Sequence, residues 1–161
     1  MRTVTQAKYS AQQIAQWFIN WAYNDDDQDG DDLTNLKVQK LLYYAQGHYL
    51  ARYGKPLFSE PIQAWAHGPV VPEVYREMKY SSDDLAPDSD YNWSLIDEDT
   101  ASFLAGIWDT YGQYSAWKLR NMSHDTAPWK DRFNPDQKST VIPNEAIRQY
   151  FSGIDTVASH Q

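Results

Sequence analysis

The side chains that could do chemistry in this 161-residue sequence are few, and they begin with its four histidines. His124 and Asp125 are adjacent and could form an acid/base pair, but a general base needs a nucleophile, and none accompanies it in the sequence. A metal site needs three or four ligands, which His48, His67 and His124 could supply only if the fold brought them together. A Gly-rich phosphate loop, a Gly-x-Ser-x-Gly elbow and a His-Glu-x-x-His helix are all missing. We therefore expect no catalytic residue, no metal and no cofactor, and the sequence does not favour an enzyme.

A second group of polar residues interrupts an otherwise apolar helix in the first third of the chain. The candidate partner-binding residues of this helix are Lys37, Gln39, Lys40, Tyr44 and Gln46. Lys37, Lys40 and Tyr44 lie at i, i+3 and i+7, so they can share one strip of the helix surface. The strip is either a contact site for a partner protein or an ordinary solvated edge, with a glutamine hydrogen bonded inside the core.

A turn further along the chain supplies the other candidate partner-binding residues, which are Trp65, His67, Gly68, Pro69 and Tyr75. Gly68 allows backbone angles closed to other residues, and Pro69 fixes the next φ. In one interpretation this turn is a corner of an interface with Trp65 as the anchor. In the other, it joins a strand to a helix, Trp65 is buried, and His67 braces the backbone.

Three residues near the middle of the second half are expected to have structural roles. His124 is predicted near a helix C-terminus, where its ring could cap carbonyl groups. Pro128 is predicted to begin a short turn, and Trp129 to pack over the core. Their spacing suggests a structural motif rather than a binding site.

The elements that must position these residues are mostly helices. N-capping residues followed by apolar residues at helical spacing predict a mainly α (α+β) fold, a single compact domain of about six helices. We assign residues 1–161 to this domain, with a core over about 10–153. The helices are expected over residues 10–23, 34–53, 69–78 or 72–78, 97–111, 115–124 and 143–153, with a short turn at 128–129.

A small β-hairpin-like element is expected between the central helix and the next one. Leu57-Phe58 and residues 62–66 have the composition of short extended segments, and residues 59–61 separate them. Residues 67–69 are predicted to form a break, after which Pro69 or Pro72 begins a helix.

Composition limits the classes of function. The sequence has no cysteine, so disulfides and thiolate metal sites are excluded, and we expect a cytoplasmic protein. Its net charge of −8 does not provide the basic surface that nucleic acids require, so direct nucleic-acid binding is not expected. No stretch approaches the ~20 apolar residues of a membrane-spanning helix. Aromatic residues make up 15% of the chain, a composition suited to a core and to protein interfaces.

Two acidic loops are predicted at residues 24–32 and 81–91, and a frayed tail at 157–161. The first loop holds six Asp between positions 25 and 32. Such a run is either a solvated surface segment or an attractant for a basic protein partner. The salt dependence of the association rate, with those Asp replaced by Asn, separates the two interpretations.

Two blocks of sequence carry a resemblance to a known family. The first contains LKVQKLLYYAQG (36–47), GKPLF (54–58), EPI (60–62), AW (64–65) and HGPVVPEVY (67–75). The second contains Tyr111-Gly112, Ser115, Leu119, Ser123-His124 and Pro128-Trp129. In this order and spacing, residues 33–151 resemble the Panacea domain family, also called SocA-like, GepA-like or phage-associated. Lys118 departs from the acidic residue expected after Ser115, and the acidic insert at residues 25–32 is longer than expected.

The resemblance implies an antitoxin that binds and neutralises a cognate toxin protein, which is expected to be encoded by an adjacent reading frame in the manner of toxin–antitoxin pairs. One relative of this kind serves as a proteolytic adaptor, so an ATP-dependent protease is an alternative partner. A phage-associated interaction module without a toxin partner is a further alternative. All three are protein-binding functions.

Overall fold

A computed structural model describes residues 7–24, 33–80, 85–137 and 139–155. Within these ranges the chain forms seven α-helices and a small sheet. The elements are α1 (Ala11–Tyr23), α2 (Asn35–Tyr53), β1 (Ile62–Trp65), β2 (Gly68–Val70), α3 (Pro72–Tyr80), α4 (Glu98–Tyr111), α5 (Ala116–His124), α6 (Ala127–Lys130), β3 (Val141–Ile142) and α7 (Asn144–Ser152). The predicted mainly α fold with a small β element is confirmed.

The helices begin and end where the sequence provides caps. The Ser10 side chain accepts a hydrogen bond from the Gln13 N–H and completes a capping box at α1. Thr34 caps α2 by accepting from the Lys37 N–H, and Gly54 ends the same helix with a φ of +72°. These caps confirm the predicted starts of both helices and the end of α2.

α2 is the central helix, and the other elements pack around it. It contacts α1, α3, α4, α5, α7 and β2, and its closest neighbour is α7. Gly47 permits this approach, because a Cβ atom at that position would lie 2.3 Å from the Phe151 ring of α7. Every position from Lys37 to His48 is buried, whichever side of the helix it occupies.

The sheet differs from the sequence prediction. β1 pairs antiparallel with β2 and, on its other side, with β3, in the order β2-β1-β3. The second strand is thus Gly68–Val70, where the sequence predicted a break, and not Leu57-Phe58, of which Phe58 forms only an isolated bridge with Tyr9. Pro72 is the residue that begins the next helix. β3 was not predicted, because a strand of two residues is too short to show an alternating pattern in the sequence.

Several predictions fall on residues outside the described ranges. They are the acidic loop at 24–32 apart from Asn24, the first four residues of the loop at 81–91, and the tail at 157–161. The assignment of the whole chain to one domain stays a prediction. None of the helices in the described ranges is both long enough and apolar enough to cross a membrane.

Candidate functional site

The β-hairpin of β1 and β2 is attached to α2 by two buried polar side chains. The Lys40 ammonium donates to the carbonyl oxygen of Pro69 over 2.8 Å, and the Val71 N–H donates to the side-chain oxygen of Gln39 over 2.8 Å. Pro69 lies opposite Ala64, and because it has no N–H the two residues cannot exchange a pair of backbone hydrogen bonds. In an antiparallel ladder, such a residue directs its carbonyl away from the partner strand, so the Pro69 carbonyl points away from β1. The two bonds therefore provide hydrogen-bond partners for the buried backbone groups on the outer edge of β2.

Gly68 allows the hairpin to lie directly over Lys40. Its φ is +108°, a backbone conformation that other residues rarely adopt. A Cβ atom at this position would lie 2.7 Å from Cε of Lys40 and 2.8 Å from Oγ of Ser123. A side chain at position 68 is thus excluded both by the backbone angle and by lack of space.

Lys40 is an unusual lysine because its side chain is completely buried, with 0% of the residue exposed. Burial, with a smaller contribution from the charge of Arg120, lowers the pKa of its ammonium to about 7. The ammonium is therefore held in the fold at a cost in stability, offset in part by its bond to Pro69.

Replacing Lys40 with Met should give a pH-dependent change in stability. Above pH 7 the folded chain loses the Lys40 proton, whereas the unfolded chain keeps it up to the ordinary lysine pKa of 10.5. The unfolded state then binds more protons, so this residue makes the wild-type chain more stable as the pH rises. From pH 7 to pH 9 the wild-type chain should gain about 2 kcal/mol of unfolding free energy relative to Lys40→Met.

Urea unfolding of both chains at each pH measures this gain. The matched control is Lys79→Met, at an exposed position of α3, where no comparable pH effect is expected. A stability difference between wild type and Lys40→Met that is the same at both pH values would contradict a lowered pKa.

Gln46 fixes the chain that follows α2. Its side-chain oxygen accepts from the Leu57 N–H over 2.8 Å, and its side-chain nitrogen donates to the carbonyl of Phe58 over 2.8 Å. This amide thus substitutes for a β-strand partner in a segment that has none of its own. The expectation of a glutamine hydrogen bonded in the core is confirmed.

Lys37 and Tyr44 attach α2 to the end of α4. The Lys37 ammonium donates to the carbonyl of Gly112 over 2.7 Å and lies 5.2 Å from the centre of the Trp108 ring. The Tyr44 ring stacks on Tyr111 with the ring centres 4.1 Å apart. Both side chains are therefore used inside the fold.

The structure corrects the expected exposed strip on α2. All five residues assigned to partner contact on this helix are buried: Lys37, Gln39, Lys40, Tyr44 and Gln46. The physical reason is that α2 is surrounded by other elements, so its polar side chains bind backbone groups of those elements instead of solvent. Their contribution is to hold the hairpin and the neighbouring loops in place.

The open surface beside the hairpin is a groove of about 790 Å³. Its walls come from the start of α2, from the hairpin, from α3 and from α5, and its apolar lining includes Leu36, Trp65, Val70, Tyr75 and Trp117. We call it the hairpin groove. It brings together two of the predicted turn residues, Trp65 and His67, with Tyr75, whereas Gly68 and Pro69 are buried beneath it.

Trp65 is half-buried and held in a fixed orientation. Its ring meets Tyr75 edge to face with the centres 5.1 Å apart, and its indole N–H donates to the Gln63 side chain over 2.9 Å. Its carbonyl accepts from the indole N–H of Trp129 over 2.7 Å. Trp65 thus braces the turn, as one interpretation predicted, and it also lines the groove, while its role as an interface anchor stays a prediction.

Trp117 forms the wall of the groove on α5, and Arg120 of the same helix packs against its ring. Trp117 is 56% exposed, and the guanidinium of Arg120 lies 4.3 Å from the centre of its ring. Nε of Arg120 donates to Nδ1 of His67 over 3.2 Å. His67 is exposed and links the hairpin to α5.

His124 and Trp129 form a stack behind the hairpin. The two rings are parallel with their centres 3.9 Å apart, and Trp129 stacks in turn on Phe133. His124 does not cap α5 as expected, because the Asp125 N–H binds the last carbonyls of that helix. Burial and the charge of Arg120 lower the pKa of the His124 ring, and a hydrogen bond with the Ala66 backbone opposes them.

Pro128 is buried at the start of α6, a position suited to a residue without an N–H.

The third histidine considered as a metal ligand, His48, binds Asp155 through Nδ1 and the Tyr111 hydroxyl through Nε2, both over 2.7 Å. Within the described ranges, no group of three or more side chains of metal-ligating type comes together.

The sequence interpretation missed Trp117, Arg76 and Arg120. The helical spacing of α5 could have identified Trp117 as a surface residue. The buried residues of this helix are Leu119 and Ser123, which lie one turn apart and define its buried side. Trp117 comes two residues before Leu119 and so faces nearly the opposite side of the helix. A tryptophan on the polar side of an amphipathic helix is a candidate for a binding surface.

The chain matches a known protein family over more than half of its length. The family model described as "Antitoxin SocA-like, Panacea domain" matches residues 38–130, which include most of the hairpin groove. This match confirms the resemblance found in the sequence motifs. Antitoxin SocA of Caulobacter vibrioides (strain NA1000 / CB15N) is 30% identical over 109 residues, which are 60% of this chain and 58% of that protein. None of the solved structures matches the chain.

Proposed function

Because the chain belongs to the SocA-like Panacea antitoxin domain family, we propose that it is an antitoxin that neutralises a cognate toxin by binding it directly. The matched relative is an antitoxin by name, and the chain covers 58% of its length. In this proposal the protein acts in the cytoplasm, without a cofactor and without catalysis, and its toxin is encoded nearby.

The hairpin groove is the observation that carries the proposal. It is concave, mostly apolar, and lined by three aromatic residues, Trp65, Tyr75 and Trp117. Aromatic residues and arginine are the residue types enriched at the energetic centres of protein interfaces. We assign partner contact to Trp65, His67, Tyr75 and Trp117, with Gly68 and Pro69 as the support beneath them.

Co-expression with the neighbouring toxin gene, in a host lacking its ATP-dependent cytosolic proteases, tests this function. Direct neutralisation predicts that growth is restored and that intact toxin co-purifies with the chain. An unrelated acidic protein of similar size is the control, and growth should stay arrested with it. Rescue that needs the proteases, with loss of the toxin, would show a proteolytic adaptor instead.

A further inference from the structure

Two cationic side chains lie at the hairpin groove. Arg76 of α3 lines the groove, and Arg120 of α5 lies against Trp117 on the opposite wall. In the described part of the chain, neither arginine forms an ion pair with a carboxylate. Among the described residues, those that line the groove include Arg76 but no Asp or Glu, although the whole chain has a net charge of −8. This part of the groove thus carries positive charge on an acidic protein.

Arg120 is also held in a defined orientation. Its guanidinium stacks on Trp117, donates to His67 through Nε and donates to the Asn121 side chain through one terminal nitrogen. The second terminal nitrogen makes no hydrogen bond to the described residues. A positioned guanidinium beside an aromatic wall binds a carboxylate more strongly than a mobile surface cation does, because less side-chain freedom is lost on binding.

We propose that the hairpin groove binds a segment of the toxin in which a large apolar side chain is flanked by carboxylates. The apolar side chain would pack between Trp65 and Trp117, and the carboxylates would pair with Arg76 and Arg120. This inference rests on the proposed function, and it adds the chemistry of the toxin segment that is recognised.

The charge of the chain favours this occupant over two others. A second copy of the chain would bring another net charge of −8 to the interface, and the two copies would repel each other. A nucleic acid would meet the same repulsion along its phosphate backbone. A short acidic segment on a toxin that is basic elsewhere avoids this repulsion and still complements the groove.

Two fluorescein-labelled synthetic peptides provide the test. Both have Leu and Phe at the centre, and they differ only in carrying either Glu or Lys on each side. Fluorescence anisotropy should show binding of the Glu peptide and none of the Lys peptide at the same concentration. NMR signals of the Trp65 and Trp117 indole N–H groups should shift, whereas that of Trp93, on the surface formed by Tyr91 and α1, should not.

Charge reversal at the groove provides the second arm. The double variant Arg76→Glu, Arg120→Glu should bind the Glu peptide at least about tenfold more weakly and should gain affinity for the Lys peptide. Lys79→Glu, one turn after Arg76 on α3 and outside the groove lining, makes one such charge reversal and should leave binding intact. The peptide comparison on the wild-type chain needs no variant and stands if the double variant does not fold.

Four outcomes would overturn the proposal. Two of them are equal affinity for both peptides and no binding of the Glu peptide. Another is stronger binding of a single-stranded oligonucleotide, and the last is self-association of the chain that Trp117→Ala abolishes. Growth rescue uses neither peptide, so rescue together with failure in the peptide assay would retain the antitoxin function and reject this chemistry of recognition.

Discussion

Trp117→Ala should weaken the binding of the toxin by about thirtyfold, or about 2 kcal/mol, the loss typical of an aromatic residue at the centre of an interface. Trp117 is the most exposed aromatic residue in the hairpin groove, and the stacked Arg120 fixes one of its faces. Removing the Trp117 ring takes away the apolar wall of the groove and also the surface on which the Arg120 guanidinium stacks. Isothermal titration calorimetry with the purified toxin measures the loss.

Tyr80→Ala is the matched control for Trp117→Ala. Tyr80 is 80% exposed, lies at the end of α3 and does not line the groove. Its removal should change the affinity by less than twofold, or under about 0.5 kcal/mol. Both variants should keep the melting temperature of the wild-type chain, since neither side chain is buried. Equal losses of affinity in the two variants would show that the toxin does not bind in the hairpin groove.

Gly68→Ala should destabilise the fold by about 3 kcal/mol, since strain at φ of +108° adds to a clash with Lys40 and Ser123. The neighbours of the new methyl group are buried and hydrogen bonded, so they can move little. Urea unfolding measures the loss. We also expect weaker toxin binding, because the hairpin that carries Trp65 and His67 would shift away from α2.

Gly54→Ala separates the two causes of the stability loss expected in Gly68→Ala, which are backbone strain and steric clash. Gly54 also has a positive φ, +72°, but a Cβ atom there would have no neighbour within 4 Å. This variant should therefore lose only about 1 kcal/mol, the cost of a left-handed conformation for a residue with a side chain. If the two variants lost the same stability, the close contact between the hairpin and Lys40 would not be as the structure has it.

The sequence predicted the helices well because their signals are local. A cap such as Ser10 or Thr34 and a stop such as Gly54 act within one turn, and each was found where expected. The pairing of β1 with β3 joins residues about 80 positions apart, with Ile62 opposite Ile142, and no local pattern encodes it. The same holds for the groove, whose walls come from segments far apart in the chain.

The role of the polar residues on α2 was predicted incorrectly for a different reason. Periodicity assigns polar side chains to solvent, which holds for a helix on the surface. The middle of α2, from Lys37 to His48, is buried on all sides, so Lys40 and Gln39 bind the backbone at the outer edge of β2 rather than water. The sequence pattern does not distinguish a side chain that supports the hairpin from one that contacts a partner.

Photo-crosslinking in cells tests the central claim most directly. A photoreactive phenylalanine analogue is placed at the position of Trp117 or, in a separate chain, at the position of Tyr80, and each chain is co-expressed with the toxin. Direct neutralisation through the hairpin groove predicts a covalent complex of one chain and one toxin from position 117 and none from position 80. Growth rescue without a crosslink from position 117, or with one from position 80 alone, would contradict the account.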